Sequence, residues 1–312
     1  MDNKDSKQAK KEKKNAKKEA KRLKMLNKLA IEEFGEDVHV PATDEEALSS
    51  LSDIQKKALE SMKKTYKDKG VTRNYDDIVL LRFLRAKKFD VKRAIEILKN
   101  YSTWYDSMGL EAISIRKCRR TLQRQIIMLP GTVDNEDRSI LYMRPGAYYP
   151  GEMPVPELMT TVVYLLEQAV KTQHVQFFGF TFIADMKGWA WANFERNYAS
   201  QFFYTMQNRF PARVGRFILV DCPTWFYMVW YIIRPMMSAK FASRVIFCTR
   251  KTVTDYVEAD QLTCDLGGTV QYDITKFIKD KYAEEGLEYD ENEELDVAID
   301  DSIFAPKVER AT

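Results

Sequence analysis

Two aspartates, Asp185 in "FGFTFIADMKG" and Asp221 in "GRFILVDCP", each close a continuous apolar run. If those runs are parallel strands, the carboxylates stand at the C-terminal strand ends where α/β enzymes carry working groups. Acid–base chemistry needs company, and neither aspartate has a second carboxylate, a nucleophile or a phosphate-cradling loop beside it. An aspartate there equally suits a turn or a cap. The only two histidines, His39 and His174, lie in unrelated surroundings, so imidazole catalysis has no constellation to work from. No GxGxxG, GxxxxGKS/T, GxSxG or HExxH pattern occurs. Cys118, Cys222, Cys248 and Cys264 are far apart with no CxxC pair, which supports neither a zinc cage nor a disulfide framework. The expectation is a chain that is not an enzyme and uses no metal or cofactor.

Binding chemistry is better represented. In "PTWFYMVWYIIRPMMSAKFASR", residues 223–244, eleven of the thirteen residues from Trp225 to Met237 are large and apolar or aromatic. The uninterrupted run from Trp225 to Ile233 is nine residues long before Arg234 and Pro235 end it, whereas a bilayer span needs about 20. The stretch does not cross a membrane. A core helix and a helix that meets lipid by another route both remain open.

The elements that must position these residues follow from periodicity and charge. Residues 1–28 hold twelve Lys/Arg against four Asp/Glu, a net of +8, so the rest of this +3 chain is mildly acidic at −5. Residues 1–42 read as a basic disordered tail. Its lack of interleaved aromatics and arginines favours a solvated tail first, an anionic membrane surface second and nucleic acid last. Thr43 and Glu46 stand at capping-box spacing before a helical pattern reaching about Tyr66. In "DDIVLLRFLRAKKFD", Leu80, Phe83 and Leu84 share one helical face, with Arg82, Arg85 and Lys88 on the other. Residues 43–108 therefore read as a small all-helical unit. After Cys118 short apolar runs stopped by Pro-Gly alternate with helical patterns, and "GRFILVDCP" is the continuous apolar strand of a parallel sheet. The fold class is α/β, with a mixed, largely parallel sheet flanked by helices over residues 118–275. Residues 284–301 carry ten acids and no base, and 280–312 reads as an acidic, disordered tail. No apolar signal segment opens the chain, so a cytoplasmic location is expected.

Four segments resemble the CRAL-TRIO lipid-binding and lipid-transfer family. They are "LLRFLRAKKFDVKRAIEILKNYSTW" (80–104), "IADMKG" (183–188), "FPARVGRFILVDCPTWFYMVWYIIRPMMSAKFASRVIF" (210–247) and "DLGGTVQYD" (265–273). The resemblance runs over roughly residues 45–275, in the family's order and spacing. It implies a CRAL-TRIO fold: an N-terminal helical unit beside a sheet whose floor forms an apolar pocket, with the aromatic stretch, about residues 225–240, as a mobile gate helix. Trp225, Phe226, Met228, Val229, Tyr231, Ile232 and Met236 then line the gate, and Phe180, Phe182, Phe217 and Leu219 the pocket floor and walls. Because alternation sends only one of Phe217 and Ile218 inward, those individual assignments stay open.

Departures from the family narrow the ligand. The phosphatidylinositol-exchanging branch has an acid where this chain has Ala212, and a Thr where it has Phe241. The family's choline-lipid hydroxyls match Phe180 and Phe182. The pocket is thus expected to be more apolar than in that branch. "FPAR" and "RPMMSAKFASR" are more similar to the tocopherol-transfer, clavesin and retinal-binding branch, whose members hold membrane phosphoinositide with basic residues near the gate. The matching positions are Lys87, Arg213, Lys240 and Arg244, with Lys240 and Arg244 on one face if the helix continues. The resemblance implies non-enzymatic binding and transfer or sensing of a hydrophobic lipid of unknown identity by a peripherally membrane-associated monomer. The alternative is a regulatory, lipid-sensing module that recruits a protein partner, since the same fold occurs in multidomain regulators.

Overall fold

A run of residues that is apolar on both sides of the pleat must be covered on both faces, and the chain builds its sheet from such runs. The computed structural model describes residues 40–107, 113–211 and 213–293. Ala212, most of the basic N-terminal tail and the acids beyond residue 293 lie outside the described residues.

The N-terminal unit contains α1 (Asp44–Ser49), α2 (Asp53–Thr65), α3 (Asp77–Ala86) and α4 (Val91–Ser107). The single helix expected from Thr43 to Tyr66 is two helices. Ser52 restarts the second as an N-cap in a complete capping box with Gln55, and Ser50–Ser52 competes with the helical backbone at the break. Arg85 is a second correction, because it is buried rather than on a solvated face. Its guanidinium donates to Gln173 at 2.6 Å and Gln176 at 2.9 Å and lies over the Phe177 ring. It joins the helical unit to the rest of the chain together with the Asp44–Gln173 and Tyr101–Glu167 hydrogen bonds.

The second unit opens with α5 (Ile115–Gln123), β1 (Ile127–Met128) and β2 (Ser139–Met143), followed by α6 (Val155–Val170), α7 (Gln173–Phe178) and β3 (Phe180–Asp185). Next come α8 (Arg196–Asn208), β4 (Val214–Val220), α9 (Phe226–Ile233), α10 (Ala239–Ala242), β5 (Val245–Cys248) and α11 (Ile274–Glu284). The five strands lie in sequence order, β1 antiparallel to β2 and every other neighbour parallel. Alternation resolves the choice within β4. Phe217 and Leu219 share one sheet face with Phe182 and Ala184, while Ile218 and Val220 pack on the other against Val253, Val257 and Leu262.

Residues 280–293, part of the tail expected to be disordered, are ordered, and the rest of that expectation (294–312) lies outside the described residues. α11 runs to Glu284, and buried Arg119 holds the following segment through the Asp290 and Glu291 carbonyls and the Glu293 carboxylate. Tyr289 lies against the same guanidinium, 4.5 Å from ring centroid to Cζ. Acid-rich composition signalled exposure, but buried Arg119, with Arg116 and the Tyr282 hydroxyl also on Glu293, holds the segment in place.

Candidate functional site

An apolar cavity of about 110 Å³ opens between the Phe217/Leu219 face of the sheet, α8 and α9. The helical period of α9 decides which gate residues reach it. Phe226, Val229, Trp230 and Ile233, spaced i, i+3, i+4 and i+7, line the cavity. The expected lining is corrected at five positions. Met228 and Tyr231 point to solvent, 46% and 75% exposed, beside Tyr227 at 61%. Ile232 and Met236 are half-buried outside the lining. Trp225 stacks on Trp189 with centroids 5.1 Å apart and planes at 11°, which pins the root of the gate to the loop after β3.

The gate is also shorter than expected. Pro235 lacks an amide proton, and the chain turns through Arg234–Met236 and becomes extended at Met237. Ser238 then caps a separate four-residue helix by accepting from the Phe241 amide at 3.2 Å. Gln207 of α8 ties down this junction. Its amide donates to the Met236 carbonyl at 3.0 Å, and its oxygen accepts from the Ser238 amide at 2.7 Å. Lys240 and Arg244 are therefore not on one continuous helix face.

Beneath the cavity lies a layer of phenylalanines. Phe180 and Phe182 are fully buried but do not line the cavity, a further correction. Phe182 stacks on Phe217 at 5.7 Å and meets Phe202 edge-on at 5.3 Å. Phe241 is buried and faces Phe203 and Phe217 at 5.5 and 6.3 Å.

Behind that layer is a second, polar depression of about 690 Å³ between the two units. Lys87, Arg213, Lys240 and Arg244 all line it, joined by Lys88 and Arg93 and by the acids Asp90, which pairs with Arg93, and Glu96. Lys87 arrives from the C-cap of α3, Arg213 from the residue before β4, Lys240 from α10 and Arg244 from the residue before β5. Arg213 is further fixed by a close approach, since a Cβ on Gly179 would stand 2.2 Å from the Arg213 carbonyl oxygen. Burial first, and then Arg244, push the Arg213 guanidinium down to about 10. Lys240 is lowered by burial and by Arg244, Arg213, Lys88 and Lys87 in turn. Cations that lower one another's proton affinity form a concentrated positive field suited to a polyanion.

The strand-end aspartates are engaged structurally. Arg250 binds Asp185 at 2.7 Å and Asp221 at 2.9 Å, so one guanidinium bridges both carboxylates. Burial pushes the thiols of Cys222 and Cys248 up to about 12 and 11, which leaves them poor nucleophiles. Among the described residues no group of His, Cys, Asp and Glu has a metal-holding arrangement, and no helix is long and apolar enough to cross a membrane.

The CRAL/TRIO domain profile matches residues 122–268, and the CRAL/TRIO N-terminal domain profile matches 39–100. The chain belongs to the CRAL/TRIO family. Lys87 falls in the N-terminal match and Arg213, Lys240 and Arg244 in the other, so the basic groove is built jointly by the two CRAL/TRIO segments. Human tyrosine-protein phosphatase non-receptor type 9 is 28% identical over 200 residues, 63% of this chain and 33% of that protein. A mouse alpha-tocopherol transfer protein-like chain is 30% identical over 174 residues, 54% of this chain and 51% of its own length. The chain thus spans about a third of the first relative and half of the second. Among solved structures, the crystal structure of Sfh5 superposes with a TM-score of 0.50 at 15% identity, covering 72% of this chain and 91% of Sfh5, a likeness of fold.

Proposed function

We propose that this CRAL/TRIO chain is a non-enzymatic carrier or sensor of one hydrophobic lipid, that it works as a monomer at membrane surfaces, and that its basic groove takes an anionic headgroup of the phosphoinositide class. One observation carries the reading: an apolar cavity under an aromatic helix backs onto a depression lined by Lys87, Arg213, Lys240 and Arg244. The name of a relative, alpha-tocopherol transfer protein-like, supports the lipid class.

The cavity's 110 Å³ is below the ~300–1,000 Å³ of small-molecule sites. Lipid entry therefore requires α9 to move outward, with the Trp225 stack and the Gln207 tie among its attachments. Tyr227, Met228 and Tyr231 face outward on α9, and tyrosines suit the headgroup depth of a bilayer. A phosphorylated headgroup in the groove would relieve the mutual repulsion of the cations. The cavity, with no such cations in its lining, takes the apolar cargo.

Native mass spectrometry of chain purified from cells should find a co-purifying lipid, and an empty chain under gentle conditions counts against the carrier reading. Binding to phosphoinositide-containing liposomes should weaken in Lys240→Ala plus Arg244→Ala. Wild-type binding by that variant, or loss of all binding on deleting residues 1–40 alone, overturns the headgroup site.

A further inference from the structure

The cavity is apolar except at one end, and the polar groups there differ in how they are engaged. Asn193 is committed to the protein, donating to the Tyr148 carbonyl at 2.8 Å and accepting from the Ala190 amide at 2.7 Å. The Tyr148 hydroxyl donates to Oε2 of Glu195. The Tyr198 hydroxyl, by contrast, is shielded from solvent and has no hydrogen-bond partner among the described residues. Its ring lies 5.6 Å from that of Tyr148, and Tyr148, Glu195 and Tyr198 all line the cavity. A buried hydroxyl left without a partner weakens the fold, and one in a cavity wall is placed where a bound ligand can satisfy it.

Resting on the lipid-carrier reading above, we infer that Tyr198 and Glu195 are the specificity-determining pair of the cavity. They select a lipid whose single polar group is a neutral hydroxyl. The ligand oxygen accepts from Tyr198 Oη, and the ligand proton goes to the Glu195 carboxylate, whose Oε2 already accepts from Tyr148. Two further facts agree with this assignment. Burial raises the proton affinity of both tyrosines, which keeps them neutral donors at physiological pH. A carboxylate in the lining repels a phosphate, so a phospholipid headgroup is directed to the basic groove instead. The cavity and the groove thus divide ligands by charge.

The test compares lipid-stripped full chain and its Tyr198→Phe variant for binding of 1-hexadecanol, hexadecyl methyl ether, hexadecane and dioleoylphosphatidylcholine by native mass spectrometry. Wild type should prefer the alcohol to the hydrocarbon, with the ether between them because it accepts but does not donate. Tyr198→Phe should weaken the alcohol about 5- to 10-fold and leave hexadecane unchanged. The stripped variant should melt about 2–4 °C higher, since it no longer buries an unpartnered hydroxyl. Equal binding of alcohol and hydrocarbon, an unchanged alcohol affinity in the variant, or tighter binding of the phosphatidylcholine than of the alcohol overturns the assignment and leaves the carrier reading intact. Failure of wild type to bind any of the four overturns the carrier reading itself.

Discussion

Phe203 meets Phe241 edge-on, with ring centroids 5.5 Å apart and planes at 78°. Phe203 lines the apolar cavity and Phe241 the basic groove, so this contact is part of the partition between them. Phe217 completes it, 6.0 Å from Phe203 and 6.3 Å from Phe241. Lys240 precedes Phe241 on the same four-residue helix. A groove cation and a wall ring therefore sit side by side on one short helix, and the two sites are physically contiguous.

Removing the wall should be costly. Phe241→Ala takes a buried ring from between Phe203 and Phe217 and is expected to destabilise the chain by about 3–5 kcal/mol, against about 1 kcal/mol for Phe241→Leu. Urea unfolding at fixed pH checks both, and near-equal losses would show that the site collapses onto the gap.

The groove cations should act on vesicle binding with little dependence on folding. Each lysine near an anionic surface contributes about 1 kcal/mol, so Lys87→Ala plus Lys240→Ala should weaken binding to phosphoinositide vesicles about 30-fold at low salt. The difference should shrink as salt is added. Thermal unfolding without vesicles should be unchanged or slightly higher, because repulsion with Arg213 and Arg244 is relieved.

Much of this arrangement was legible from the chain itself. The continuous apolar strands and the aromatic stretch are local patterns, whereas the gate role and the four cations came from the family resemblance, and the fold brings Lys87, Arg213, Lys240 and Arg244 to one depression. What escaped is what depends on orientation. Every residue from Phe226 to Ile233 is apolar, so composition gave no sign that Phe226, Val229, Trp230 and Ile233 face inward while Met228 and Tyr231 face out. Phe180 and Phe182 share a face with the pocket but sit one layer too deep to line it. Arg85 was placed on the polar face of its helix, and Arg119 drew no reading at all, because their partners Gln173 and Glu293 lie far away in sequence. Tyr148, Glu195 and Tyr198 carried no motif, and only the fold reveals that one hydroxyl among them lacks a partner.

Gln207 should control gate opening. Its side chain makes two bonds to the end of the gate, to the Met236 carbonyl and from the Ser238 amide, each worth about 0.5–1.5 kcal/mol. Gln207→Ala is expected to raise the open population about 5- to 150-fold, with faster amide exchange over residues 226–238 and unchanged exchange in β3. Uniformly faster exchange would instead mark a loss of global stability.

Arg119 should govern the C-terminal segment. Its guanidinium serves the Asp290 and Glu291 carbonyls and the Glu293 carboxylate at once, a fork that lysine does not reproduce. Arg119→Lys should release residues 285–293, seen as early cleavage beyond α11 in limited proteolysis. An unchanged cleavage pattern would assign the hold on this segment to Tyr282 and Tyr289 instead.

The groove also sets a pH profile. Arg213 is pushed down to about 10 from an ordinary 12.5, first by burial and then by Arg244. A lowered folded-state pKa means that the folded chain holds this proton less tightly than the unfolded one. The penalty is present in full below about 10 and is relieved as pH rises from there toward 12.5. Arg213 is therefore charged throughout the neutral range, and its contribution to vesicle binding should not vary between pH ~7 and ~8. Below about pH 6 binding should weaken from the ligand's side, as phosphomonoesters take up a proton there. Liposome sedimentation at constant ionic strength checks the profile. A fall between pH ~7 and ~8 would mean that binding rests on a titrating group other than the Arg213 guanidinium.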